Sequence, residues 1–292
     1  MGESKFCCPI PHDMPAHTTP VNLSSAAIRS FRQKIYRYYR SHGRTLPWRK
    51  TRNPYHILVS EIMLQQTQVE RVLQKYPQFV TAFPDFKTLA KAPLRKILHV
   101  WQGMGYNRRA LFLKKIAVAV VEKFNGRLPR TIEELMDLPG IGKNTAASIS
   151  AFAFNKPVAF IETNIRSVFI HCFFQDQDDV NDREILPLVE KTLDNKNPCE
   201  WYNALMDYGV MLKKTHANPS RKSVHHQQQG KFEGSNRQVR GMIIKAITGN
   251  PLITESALMK QIDAPAQKVK DNLVQLQREG FVKRNGKKLN IA

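Results

Sequence analysis

The sequence predicts an all-α fold of packed helices that ends in a small unit of three helices and a hairpin. Three observations predict it. Apolar residues recur at helical spacing along most of the chain, broken by prolines and glycines. A tight glycine turn, Leu138-Pro139-Gly140-Ile141-Gly142, separates two helical stretches. From Arg237 on, three helical patterns precede an Asn-Gly turn flanked by apolar residues, which is a winged-helix-like plan.

Residues 1–22 carry Pro9, Pro11, Pro15 and Pro20 with little apolar periodicity and read as a mobile tail. A helix follows from Leu23, with Ser24 or Ser25 at its cap. Ile28, Phe31 and Ile35 line one face, and Arg29, Arg32, Lys34, Arg37 and Arg40 make the other basic. The loop Gly43-Arg44-Thr45-Leu46-Pro47-Trp48-Arg49 sets an aromatic among cations, either for nucleic-acid contact or as a cap on the core. Residues 54–69 are helical, with Gln65-Gln66-Thr67-Gln68 expected on the same helix. Further helices span 70–125, with Pro77, Pro84 and Pro93 at the breaks and a second glycine turn, Trp101-Gln102-Gly103-Met104-Gly105-Tyr106.

Thr131-Ile132-Glu133-Glu134 has the pattern of a capping box opening a short helix. Pro139 and Gly140 stop that helix, and Gly142 is expected where a side chain would collide. The next helix opens at Lys143-Asn144-Thr145. Its first-turn amides have no partners within the helix and form an anion site beside Lys143, unless the glycines serve packing alone. Val158-Ala159-Phe160-Ile161 reads as extended, Asn164 as the cap of a helix over 165–174, and helices cover 185–193 and 201–212. Residues 213–236 are basic and poor in apolar residues, as a linker would be.

Composition narrows the function. There are 45 Lys and Arg against 24 Asp and Glu, a formal charge of +21, which attracts polyanions. No apolar run is long enough for a membrane span, and the polar N-terminus lacks a signal-peptide core. A soluble protein is expected, in the cytoplasm or nucleoid (the nucleus in a eukaryote). The four cysteines, Cys7, Cys8, Cys172 and Cys199, show no C-x-x-C spacing, so neither a disulfide framework nor a metal site follows. The C-terminal unit holds a surplus of seven positive charges, which favours DNA over protein as its partner.

Two carboxylates stand out. Glu61 shares a helix face with Ile57, Leu58 and Leu64, where desolvation favours the protonated acid and suits it to donate a proton, unless a buried cation pairs with it. Glu162 emerges at the end of the extended stretch, just before a helix N-terminus whose field favours the charged form. Opposed surroundings of this kind divide an acid from a charge stabiliser. Tyr106, beside Arg108 and Arg109, has the make-up of a base-stacking contact.

The segments Leu46-Pro47-Trp48, Ser60-Glu61-Ile62-Met63-Leu64-Gln65-Gln66-Thr67-Gln68-Val69, Trp101 to Tyr106, Leu138 to Gly142 and Met206-Asp207-Tyr208-Gly209 stand in order over about 180 residues. Together they resemble the helix-hairpin-helix DNA glycosylases, and most of all the MutY-type adenine glycosylases. The resemblance implies two helical subdomains with a DNA-binding cleft between them. These would be a six-helix subdomain over about 50–163 and a second from 23–49 plus 164–212. The linker 213–236 and a winged-helix-like domain over 237–292 would follow.

It also implies an enzyme of base excision repair that flips adenine mispaired with 8-oxoguanine or guanine out of double-stranded DNA and hydrolyses its N-glycosidic bond. Glu61 would be the general acid and Glu162 the stabiliser of the oxocarbenium-like sugar. Gln65 and Tyr106 would wedge into the duplex near the opposing base, and Gln66 would contact DNA beside them. Gly140, Gly142, Lys143 and Thr145 would hold a phosphate, and Arg44, Leu46 and Trp48 would add DNA contacts. A monomer is expected. The alternatives are a mismatch thymine or uracil glycosylase and a non-catalytic DNA-binding protein.

Three departures mark this chain. The stabilising carboxylate is Asp in the family and Glu162 here. The family's iron–sulfur cysteines are absent, and Lys213-Lys214 stands where they begin, so no cofactor is expected. A winged-helix-like unit is expected where the family has the domain that inspects 8-oxoguanine. One position bears on the reaction: bifunctional relatives carry a Schiff-base Lys where this chain has Asn144. Asn cannot form an imine, so a glycosylase without efficient lyase activity is expected. Lys143 lies about 100° away around the helix and suits a phosphate contact.

Overall fold

The computed structural model describes residues 23–292, so the expected tail over 1–22, with Cys7 and Cys8, lies outside the described residues. The first helices are α1 (Ser25–His42), α2 (Pro54–Leu64), α3 (Val69–Ala82), α4 (Phe86–Lys91) and α5 (Leu94–Trp101). Then come α6 (Arg108–Lys123), α7 (Ile132–Met136), α8 (Lys143–Phe154), α9 (Thr163–Phe173), α10 (Asp182–Thr192) and α11 (Pro198–Thr215). The C-terminal part adds α12 (Asn236–Gly249), α13 (Glu255–Gln261) and α14 (Ala266–Arg278), with strands β1 (Ile253–Thr254), β2 (Val282–Asn285) and β3 (Lys288–Ile291). The fold is predominantly α-helical. Among the described residues no helix is long and apolar enough to cross a membrane.

The chain forms two units. One joins residues 23–44 to 155–227, and the other joins 45–154 to 228–292. The boundaries therefore differ from the expected 163/164 division, and residues 237–292 are not a separate unit. One hydrophobic cluster runs from Leu46 through Ile149 and on from Val239 to Ile291, because the winged-helix part buries apolar surface against the helices that precede it.

In the first unit, Ser24 caps α1 by accepting from the Ala27 amide at 3.2 Å. Phe31 packs edge-on to Trp201 and against Phe169 and Phe173, with centroids 5.2–5.8 Å apart. The basic face of α1 is partly structural. Arg32 donates to the carbonyls of Thr192 and Leu193 and so satisfies the end of α10. Helix α11 continues through Lys213 and Lys214, so the expected linker starts inside a helix.

In the second unit, α3 continues through Pro77, which does not break it. Helix α2 ends at Leu64, so Gln65 and Gln66 form a turn instead of a further helical stretch. Thr131 caps α7, and its hydroxyl donates to the Glu134 carboxylate at 2.7 Å. The C-terminal strands form an antiparallel sheet in the order β1-β3-β2, with Gly286 at φ +59° in the Asn-Gly turn. β1 was not foreseen, since two residues are too few to show an alternation. Glu279, beyond α14, joins Arg240 of α12 to Arg108 at the start of α6. Those two guanidinium groups pull its carboxyl down to about 2, Arg108 first, against the opposing effect of burial. Arg95 also donates to the Thr248 carbonyl at 2.9 Å.

Candidate active site and nucleic-acid interface

In the second unit, Glu61 is half-buried on α2, a helix that also carries the buried Ile57, Leu58 and Ile62. One turn on, the Gln65 side-chain amide donates to the Thr145 hydroxyl on α8 at 3.3 Å. This contact joins two expected DNA-contacting residues and ties the end of α2 to the hairpin helix. Gln66 is exposed at φ +52°, a left-handed backbone unusual for its residue type.

Gly140 lies at φ +78°, and a Cβ there would stand 2.5 Å from the Phe112 ring, so both conformation and space demand glycine. Gly142 differs from the expectation. A Cβ there meets nothing within 4 Å, so no internal neighbour requires it; its face is open to the outside. Lys143 and Asn144 are exposed at the start of α8, and Thr145 is half-buried.

Tyr106 has φ +46° and is half-buried between two guanidinium groups, Arg109 at 5.4 Å and Arg237 at 5.2 Å from its ring centroid. Arg109 was not singled out in the sequence as an organising residue. It is 6% exposed and donates to the carbonyls of Ile62, Met63 and Gln65 and to those of Met104 and Gly105. One guanidinium thus satisfies the end of α2 and the turn that carries Tyr106. Burial lowers its pKa to about 10, which leaves it charged at neutral pH.

Leu46 and Trp48 do not offer the DNA contacts expected of them. They are 6% and 7% exposed in the core, with Trp48 edge-on to Tyr76 at 5.5 Å. Apolar burial outweighs any pull of the neighbouring cations.

In the first unit, Glu162 is itself the cap of α9. Its carboxylate accepts from the amides of Asn164 at 2.8 Å and Ile165 at 3.0 Å, and from the Asn164 side chain at 3.1 Å. The expected cap, Asn164, is already within the helix. The Glu162 backbone is extended at φ −119°, and its side chain folds over the first turn of α9 to meet these amides. Lys213, a residue the sequence had suggested lay in a linker, donates to the Asn164 side-chain oxygen at 2.9 Å. Burial lowers its ammonium pKa and nearby Glu162 opposes that effect.

Gly209 is required beside this turn, since a Cβ there would lie 2.4 Å from the Asn164 carbonyl oxygen. Two residues earlier, Asp207 accepts from the Arg44 backbone amide and Nε, each at 2.7 Å. Arg44 is thus paired with Asp207 and holds its own loop, at a position where a DNA contact had been expected. The segment Met206-Asp207-Tyr208-Gly209 now has a physical meaning. It anchors one loop and lets α11 approach the cap of α9.

A family model described as HhH-GPD superfamily base excision DNA repair protein matches residues 59–191. A thymine/uracil-DNA glycosylase of Methanothermobacter thermautotrophicus is 32% identical over 185 residues, covering 62% of this chain and 84% of its own. The chain belongs to the HhH-GPD superfamily. An adenine DNA glycosylase of Buchnera aphidicola subsp. Baizongia pistaciae is 40% identical over 187 residues, 62% of this chain and 52% of its own. A solved structure, described as a thermostable thymine-DNA glycosylase, superposes with a TM-score of 0.58 at 29% identity, over 63% of this chain and 86% of that one. The chain spans about half the length of the adenine DNA glycosylases it matches. The HhH-GPD match starts within α2, just before Glu61, and takes in the hairpin and Glu162; Gly209, Lys213 and the winged-helix part lie beyond it.

Proposed function

We propose that this HhH-GPD protein is a monofunctional DNA glycosylase that removes adenine mispaired with 8-oxoguanine or guanine from double-stranded DNA. The observation that carries the reading is Glu61, a half-buried carboxyl one turn before the Gln65–Thr145 tie to the hairpin helix. A departing purine accepts a proton on its ring, and a half-buried carboxyl beside the hairpin is the group proposed to supply it. The 40% identity to an adenine DNA glycosylase supports the choice of base.

In the proposed reaction Glu61 protonates the leaving adenine as the glycosidic bond breaks. The Glu162 carboxylate, held by three donors, stabilises the cationic sugar until water adds. Asn144 offers no amine for an imine, so the abasic product keeps its phosphodiester intact. The site works without a metal or cluster and as a monomer, wherever the chromosomal DNA is held.

A thymine/uracil relative covered over 84% of its length favours a second reading, removal of mispaired pyrimidines. Single-turnover assays on duplexes carrying A opposite 8-oxoguanine, A opposite guanine, and T or U opposite guanine separate the two. Release of adenine, with strand breaks only after alkali, is the expected result. Release of pyrimidine alone establishes the second reading, and strand breaks without alkali remove the monofunctional assignment.

Gly209→Ala tests how Glu162 is placed. The added Cβ would overlap the Asn164 backbone and push the cap of α9 aside. A displacement near 1 Å is expected to slow base release about a hundredfold with duplex binding retained. An unchanged single-turnover rate would show that α11 absorbs the methyl without moving Glu162.

A further inference from the structure

The segment after residue 228 returns to Tyr106 within the same unit. The Gln229 side-chain amide and the Arg237 guanidinium both donate to the Tyr106 hydroxyl. Arg237 also donates to the Gly230 carbonyl at 3.0 Å, and it lies 5.7 Å from the ring of Phe232 as well as 5.2 Å from that of Tyr106. Two aromatic rings thus flank one cation.

Phe232 is 58% exposed, the most exposed large hydrophobic side chain among the described residues. Its backbone is nevertheless held. The Phe232 carbonyl accepts from both the amide of Ser235, at 3.1 Å, and its hydroxyl, at 2.6 Å. Ser235 in turn caps α12 through the Gln238 amide. An anchored, exposed phenyl ring with a guanidinium 5.7 Å from its centroid offers apolar ring surface next to a cation. A nucleobase taken out of its stack has the matching chemistry: a π-face for the ring and polar edges for the amide and guanidinium.

We propose that Phe232 and Arg237, next to Tyr106, form a stacking site for an unstacked nucleobase in the strand opposite the target. The C-terminal part would then contribute directly to reading the duplex. This inference rests on the proposed duplex-binding function.

The test uses an end-labelled duplex with an A·G mispair and 2-aminopurine beside the guanine. Anisotropy reads binding, and 2-aminopurine fluorescence reads stacking of that strand. Wild-type protein should bind and change the fluorescence. Phe232→Ala should weaken binding about tenfold and abolish the fluorescence change, Phe232→Trp should restore both, and Arg237→Ala should reduce both. Wild-type binding with Phe232→Ala indistinguishable from it would overturn the stacking site and leave the function standing. Failure of the wild-type protein to bind would overturn both. A urea midpoint for Phe232→Ala within error of wild type shows that a lost signal is not lost folding.

Discussion

Glu61→Gln is expected to slow adenine release about a thousandfold while duplex binding changes little. The substitution keeps the size and polarity of the half-buried side chain. What it removes is an acidic proton. Without one, the leaving base departs as an anion, and the barrier rises by the lost proton transfer, about 4 kcal/mol for a thousandfold. Single-turnover rates of the two proteins on the same A-containing duplex, measured beside their binding to it, provide the check. A loss under tenfold would remove Glu61 from the role of general acid and return it to a structural one.

Arg109→Ala is expected to have the largest effect on stability, about 3–5 kcal/mol. The guanidinium serves five carbonyls from two turns, and its loss would leave several buried acceptors without donors. Its position is otherwise unfavourable, since a cation in the first turn of α6 opposes the helix dipole. The carbonyl contacts and the rings of Trp101 and Tyr106, each 5.4 Å away, outweigh that cost. Arg109→Lys should recover part of the loss, because one ammonium cannot span both turns. Urea denaturation gives the number. A change below 1 kcal/mol would mean that water satisfies the carbonyls and the two turns stand without the guanidinium.

By itself the sequence determined what depends on near neighbours in the chain. Ser24 and Thr131 announce helix starts because a hydroxyl reaches amides two or three residues on. Gly140 announces the hairpin because only glycine adopts its φ of +78° without strain. The Asn285-Gly286 turn marks the hairpin at the C-terminal end for the same reason. Glu61 and Glu162 were identifiable as carboxylates in unusual local settings, although the capping of α9 by Glu162 itself was not foreseen. Both side chains can accept from first-turn amides, and the extended backbone at Glu162 is what places the cap there.

Only the tertiary structure decided the uses of side chains whose partners are distant in sequence. Trp48 among cations reads equally as a DNA contact or a cap on the core until Tyr76 and the core enclose it. Arg44 reads as a DNA contact in a loop, and its pairing with Asp207, 163 residues later, is visible only in the fold. Arg237 and Phe232 read as the edge of a linker until they meet Tyr106. Capping and turn geometry act over a few residues and leave a local pattern. A buried ion pair, a shared guanidinium or a stacked ring depends on which surfaces meet on folding, and no short stretch of the chain contains that information.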